Sequence, residues 1–427
     1  MIYFLFYLML WPCLKITSYF KKASNKILLI QTAKIGDYAN STVIFEKLGK
    51  FDVLIDEINL AFAKHDRRME KIFTINGVKR KKASKLGLAL ELFSRGYESV
   101  YVLMPNSLNL FLARCTLAKN IVAVHHYAAS SDFALLALGM KKVPHTLQDL
   151  TLLTYLKTVG ISELKYEKCL QKPLFIPQEN LIKSGKFKIG VSLSAGNKMK
   201  TPPKHTWEKI FEIFAKFDCE VYIFGVGEEA ALLKNLLAEN VNEKRAENLS
   251  RRQIFADLAG NGASEICGDL KNANEEQPKA QICSESSTGG ESNFSSQICD
   301  TYVKKFGENE LKIISLIDKI KLEELPFYLS QMQLYASSDT GNYYVADSMH
   351  TPTICLMGPC FASEQRGVAD SLVINSHLPP VSSVFKTVRD IDASAFFELS
   401  EQNLADIEAF VKVRYISYLS REDNFLC

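Results

Sequence analysis

The chain has 427 residues, too many for one ordinary hydrophobic core, so two lobes are the natural expectation. Hydrophobic residues make up 47% and charged residues 23%, close to globular averages, which confines any disorder to a local stretch. A net charge of +3 falls far short of the basic stripe of a nucleic-acid binder, and ten cysteines without a CxxC pair carry neither a zinc nor a secreted-scaffold signature, which fits a reducing compartment.

Residues 1–25 open with MIYFLFYLMLWPCLKITSYF, the most apolar stretch of the chain, followed by Lys21 and Lys22. It has neither the basic n-region nor the cleavage site of a signal peptide. Pro12 and Lys15 leave an apolar piece of about ten residues, short against the roughly 20 that a span needs. The reading is a membrane-associating segment, monotopic or marginally spanning, that keeps the rest of the chain on the cytoplasmic side; an apolar helix packed on its own protein is the plain alternative.

From Lys26, β-branched runs alternate with amphipathic segments, the pattern of βαβ units on a parallel sheet. Strands are expected at Lys26 to Gln31, Val53 to Asp56, Ser99 to Met104 and Asn120 to Val124, with helices at Lys82 to Ser94 and Leu108 to Ala118. This gives a first doubly wound lobe over 26–172. The stretch QKPLFIPQ, Gln171 to Gln178, reads as a linker. A second lobe over 173–400 follows, with strands at Phe187 to Leu193 and Glu220 to Gly225, helices at His205 to Phe217 and Glu228 to Leu237, then IISLID, LEELPFYLSQM, QLYASS and TICLMG. Within it, about 240–310 is poor in aromatics and rich in Asn, Glu, Ser and Gly, and repeats a fragment around Cys267, Cys283 and Cys299. That segment reads as a disordered low-complexity insertion rather than a metal site. A terminal helix is expected within 401–427, near Asn403 to Leu419.

Three stretches carry candidate chemistry. In KILLIQTAKIGDYANS a buried strand ends in a turn and a helix begins near Asp37, which places that carboxylate at the crevice side of a doubly wound sheet; a simple helix cap is the alternative. In SLSAGNKMKTPPKHTW, Lys198 and Lys200 follow a strand, as diphosphate-neutralising groups or as ordinary surface lysines. In LYASSDTGNYYVADSMHTPTICLMGP, Asp339, Thr340 and Gly341 lie between a strand and a helix whose first amides favour phosphate, and Gly358 closes a second turn on the same side.

Together these stretches resemble glycosyltransferase family 9, the lipopolysaccharide core heptosyltransferases. The resemblance rests on Gly36 with Asp37, on Lys200 to Pro203 as a Lys-x-x-Pro motif, and on Asp339 to Gly341 followed by Thr351 to Thr353 and by Gly358 with Pro359. It implies a GT-B fold, two Rossmann-like lobes facing a central cleft, and an inverting transfer of heptose from a nucleotide-activated donor, ADP-heptose, to the lipopolysaccharide or lipooligosaccharide inner core. Asp37 would be the base; Lys200, Asp339, Thr340, Gly341, Tyr344 and Gly358 would serve the donor. Glu228 or Glu229 resembles the position that holds donor hydroxyls. The basic run Lys79, Arg80, Lys81 and Lys82 resembles the family's acceptor-binding segment, although a solvated helix start or a lipid contact reads almost as well. Tyr344 stands where the family usually has histidine, and a phenol cannot be cationic near neutral pH. The implied partners are a nucleotide sugar, a lipopolysaccharide core or lipid A acceptor and a membrane surface at the inner membrane's cytoplasmic face, with no nucleic acid, metal or other cofactor. Two alternatives stand beside this: the same fold with another sugar nucleotide, and a membrane-docked binding protein without turnover.

Overall fold

The computed structural model describes residues 2–21, 24–81, 84–163, 170, 175–238, 299–389 and 391–423. Lys82, Cys267, Cys283 and most of the linker and of the low-complexity segment lie outside these. Two sheets carry the fold. The first is wholly parallel and holds β1 (Ile27–Gln31), β2 (Phe51–Ile55), β3 (Met69–Thr74), β4 (Ser99–Val102), β5 (Asn120–His126) and β6 (Lys141–His145) in the order β3-β2-β1-β4-β5-β6. The second holds β7 (Phe187–Val191), β8 (Cys219–Ile223), β9 (Asp300–Phe306), β10 (Asn309–Ser315), β11 (Leu334–Ser338), β12 (Thr353–Gly358) and β13 (Ser371–Asn375) in the order β13-β12-β11-β7-β8-β10-β9, parallel except for the β9-β10 hairpin. The longer helices among the described residues are α1 (Ile2–Ser18), α2 (Ile35–Ser41), α3 (Lys85–Ser94), α4 (Ser107–Cys115), α5 (Thr151–Thr158), α6 (Lys204–Phe214), α7 (Glu228–Leu237), α8 (Gly341–Ser348) and α9 (Glu401–Asp423). This is the two-lobed GT-B arrangement.

The central strands are apolar on both faces because helices cover both sides of a parallel sheet; Leu28, Leu29 and Ile30 of β1 and every residue of β8 are buried. Strand order fixes where a crevice opens. In each sheet the order reverses beside its first strand, between β1 and β4 and between β7 and β11, and ligand crevices form outside the strand ends at such a reversal. The turn after β1 and the turns after β7 and β11 are therefore the ones that can share a site.

Five strands depart from the expected pattern, and four of these lie at sheet edges. β6 contains Pro144, which an edge strand tolerates because one side of its ladder is unpaired. β3 and β13 are edges with partly exposed residues. β9 and β10 correct the expected extent of the low-complexity segment, since Asp300–Phe306 and Asn309–Ser315 pair through a turn in which Gly307 adopts φ 61°. No described helix is long and apolar enough to cross a membrane.

A single apolar cluster runs across both lobes, joining Tyr38, Phe45 and Tyr155 of the first to Tyr222, Tyr343 and Tyr344 of the second. Its tightest point is where the starts of α2 and α8 meet. A Cβ added at Gly36 would sit 2.8 Å from Cδ2 of Tyr344, and one at Gly341 would sit 2.9 Å from Cβ of Ile35. Two glycines from opposite lobes thus let backbone meet side chain at van der Waals range. Gly341→Ala should lower unfolding free energy by about 1–3 kcal/mol, the usual cost of overpacking, because the neighbouring atom is a rigid Cβ. Chemical denaturation measures this; a change within error would show that the α2-α8 contact can relax.

Candidate active site

The first lobe contributes a short turn held from below. Asn109 donates through Nδ2 to Thr32 Oγ1 at 2.7 Å, and Asn59 donates to the Ala33 carbonyl at 2.9 Å. These anchors fix residues 32–34, and α2 begins immediately afterwards with Asp37 in its first turn. The Asp37 side chain is only half-buried but faces the second lobe, where Gln365 donates through Nε2 to its Oδ1 at 3.4 Å. Burial pushes its carboxyl up to about 6; the nearby Lys200 cation opposes that rise, while the Asp339 and Glu364 carboxylates add to it.

From the second lobe, the loop after β7 makes one 3-10 turn, Lys198–Lys200, and presents Lys200 to the end of β11. Lys200 Nζ lies 2.6 Å from Asp339 Oδ2, and the Tyr344 hydroxyl donates to Asp339 Oδ1, also at 2.6 Å. Burial works against both charges, yet their pairing wins: Lys200 is held above its ordinary range and Asp339 below its own, with Tyr344 and Cys360 adding hydrogen bonds to the carboxylate. For Tyr344, burial and then the Asp339 charge raise the phenol far above its usual pKa, so it stays neutral. The structure thus brings Asp37, Lys200, Asp339 and the start of α8 to one gap.

Several expected groups sit differently from what the sequence suggests. Lys200 is not a free cation but half of a part-buried ion pair. Tyr344 is 2% exposed and lies behind Asp339, buttressing that carboxylate rather than reaching into the gap. Of the two glutamates, Glu229 folds back over Gly225, accepting from the Val226 amide at 3.2 Å, whereas Glu228 remains exposed. Gly358 takes φ 53° with the Phe397 ring where a Cβ would go, so its part is to let the turn form. Thr340 caps α8 with extended backbone and no side-chain cap bond. In the basic run, Lys79 Nζ lies 3.0 Å from Asp56 Oδ2 and Arg80 lies 3.1 Å from Glu57, while Lys81 is exposed with φ 58°.

Sequence reasoning missed three features. Lys34 joins Lys79 around Asp56, at 3.4 Å, just ahead of Asp37. Gln365 touches Asp37 but occurs in a stretch with no motif. Beside it, Glu364 closes a buried clasp between the lobes: His145 Nε2 lies 3.1 Å from Oε1, the Tyr127 hydroxyl donates to the same oxygen at 2.8 Å, and the Val384 amide donates to Oε2 at 2.8 Å. The Glu364 carbonyl also accepts from the Thr151 amide at 2.8 Å. Nothing in the local sequence distinguishes Glu364, since its partners are 20 to 237 residues away.

The sequence matches no protein-family profile and no curated protein. Solved structures do share its fold. A glycosyltransferase family 9 protein from Veillonella parvula superposes with TM-score 0.58 at 12% identity over 93% of this chain and 99% of that one. E. coli ADP-heptose lipopolysaccharide heptosyltransferase II gives TM-score 0.54 at 12% identity, over 92% and 99%. The E. coli heptosyltransferase WaaC with ADP gives 0.52 at 13%, over 91% and 99%. The resemblance read from the motifs is thereby matched at the level of the GT-B fold.

Glu364→Ala should cost at least about 3 kcal/mol in stability, because a buried imidazole, a phenol and an amide each lose an acceptor. A denaturation midpoint within error of the parent would show that the clasp is not a structural tie.

Proposed function

We propose that the chain is an inverting glycosyltransferase that moves a heptose from a nucleotide-activated donor, ADP-heptose by analogy with its structural relatives, to a lipopolysaccharide or lipooligosaccharide inner-core acceptor at the cytoplasmic face of the inner membrane. The observation that supports this best is the convergence of the Asp37 carboxylate, the Lys200-Asp339 pair and the start of α8 on a single gap.

In this reading the acceptor hydroxyl gives its proton to an Asp37 oxygen as its own oxygen bonds to the anomeric carbon, and the bond from that carbon to the diphosphate oxygen breaks on the opposite face. A carboxyl with a pKa near 6 is ionised at neutral pH yet basic enough to accept that proton. The departing diphosphate gathers negative charge. Lys200, held by Asp339 and hydrogen-bonded to Cys360 as well, has one further N–H group to offer, and the first amides of α8 have no acceptor within the helix. Both are preorganised before the charge appears, which is what makes such groups effective. Asp339 and Tyr344 hold Lys200 in place, Glu228 is the exposed carboxylate left for donor hydroxyls, and Thr340, Gly341 and Gly358 shape the turns. Lys79, Arg80 and Lys81, with Lys34, form the acceptor's basic surround, and Lys82, outside the described residues, continues the run in sequence.

A second reading keeps the chemistry and changes the donor sugar. It is favoured by Tyr344, since a neutral phenol buried behind Asp339 offers no cation to a phosphate.

A panel of nucleotide sugars with truncated lipopolysaccharide acceptors, read by product mass, tests the whole proposal. Asp37→Asn should abolish transfer and leave nucleotide binding nearly intact; transfer at the parental rate would refute the base assignment. In the parent, kcat/KM should fall as pH drops through about 6, because protonated Asp37 accepts nothing. A profile flat from pH 5 to pH 8 would argue against a titrating base. Lys200→Ala should lower kcat/KM by about 10²–10³-fold, the scale of losing one preorganised donor.

A further inference from the structure

α1 precedes the first strand and packs on α4, burying Tyr7 and Leu14, with Tyr3 and Leu10 partly covered along the same face. Tyr3 lies 5.6 Å from Phe111, and the Arg114 guanidinium sits 5.1 Å from the Tyr7 ring centre. The helix is therefore docked through residues 3, 7, 10 and 14. Its opposite face carries Ile2, Phe6, Met9, Cys13, Ile16 and, just past its end, Phe20, all exposed; Met9 is 76% exposed and Phe20 86%. A helix that is apolar all round belongs where it is covered all round, and the described residues cover one side only. The neighbouring surface extends the patch, with Leu86 and Leu90 of α3 and Leu138 also exposed. Soluble surfaces rarely leave so much apolar area contiguous.

Charge identifies what covers it. The first 26 residues contain four lysines and no acidic residue, in a chain whose total net charge is only +3. Lys15 is exposed on the helix, Lys21 follows it, and exposed Lys85 of α3 donates to the Tyr3 hydroxyl at 2.8 Å. Apolar side chains ringed by lysines match an interface of acyl chains beneath anionic headgroups. No described helix is long and apolar enough to cross a membrane, and α1, 17 residues with Pro12 inside, reaches about 26 Å against a hydrocarbon core of roughly 30 Å.

We propose that α1, with the exposed leucines of α3 and Leu138, lies flat in the surface of an anionic bilayer as the chain's docking face. The same contact sets a direction. Lys79 to Lys81 run into α3, and Lys85 at its start touches Tyr3, so the basic run borders the docked face; this last point rests on the acceptor reading above, whereas docking does not.

The test is flotation of the full chain, without donor or acceptor, on vesicles of phosphatidylcholine alone or mixed with phosphatidylglycerol. The chain should float with the mixed vesicles, lose binding at high salt, and bind at least tenfold more weakly as Phe6→Asp/Met9→Asp. Both positions are exposed, so the variant should keep the parental thermal melt. Three outcomes would overturn the proposal: no flotation on mixed vesicles, a variant that floats like the parent, or a parental dimer that the double substitution dissociates without vesicle binding. Equal binding to pure phosphatidylcholine would overturn the assignment to an anionic surface. Flotation proceeds whether or not the chain transfers sugar, so failure of either reading leaves the other measurable.

Discussion

The arrangement depends on the contact between the starts of α2 and α8. Because neither Gly36 nor Gly341 carries a side chain, two helix N-termini from separate lobes approach to atomic contact, and their first-turn groups open onto the same space. Asp37 gains its unusual basicity from that approach, which removes water from the carboxylate and sets two further acidic groups near it. Lys200 moderates the effect without cancelling it.

The lobes are tied together unevenly around this point. Apolar packing through Tyr38, Tyr155, Tyr343 and Tyr344 supplies area without direction. The Glu364 clasp supplies direction, since its carboxylate oxygens are filled by donors whose geometry is fixed. Gln365 inherits its position from its neighbour and so reaches Asp37. The first lobe's carboxylate thus depends on the second lobe for its chemical character as well as its surroundings.

Much of the fold was legible because parallel sheets bury both faces, and runs such as ILLIQ and TICLMG have no other reading. The edges were not, since a strand solvated on one side is free to carry Lys141, Lys142 and Pro144, or the charges of DTYVKKF. The gap was legible where side chains sit on turns after central strands, as Asp37, Lys200 and Asp339 do. What escaped was every relation that chain distance hides: Lys200 already held by Asp339, Tyr344 turned behind the carboxylate, and Glu364 bonded to residues of the far lobe. Burial and pairing belong to the packed molecule, and no local pattern announces them.

Tyr344 fills the space that a side chain at Gly36 would need. The two positions are consequently not independent in descent. A lineage with this ring can vary position 36 only after the ring has shrunk, whereas one with a smaller group there keeps both options, so the order in which substitutions arise decides which sequences can be reached.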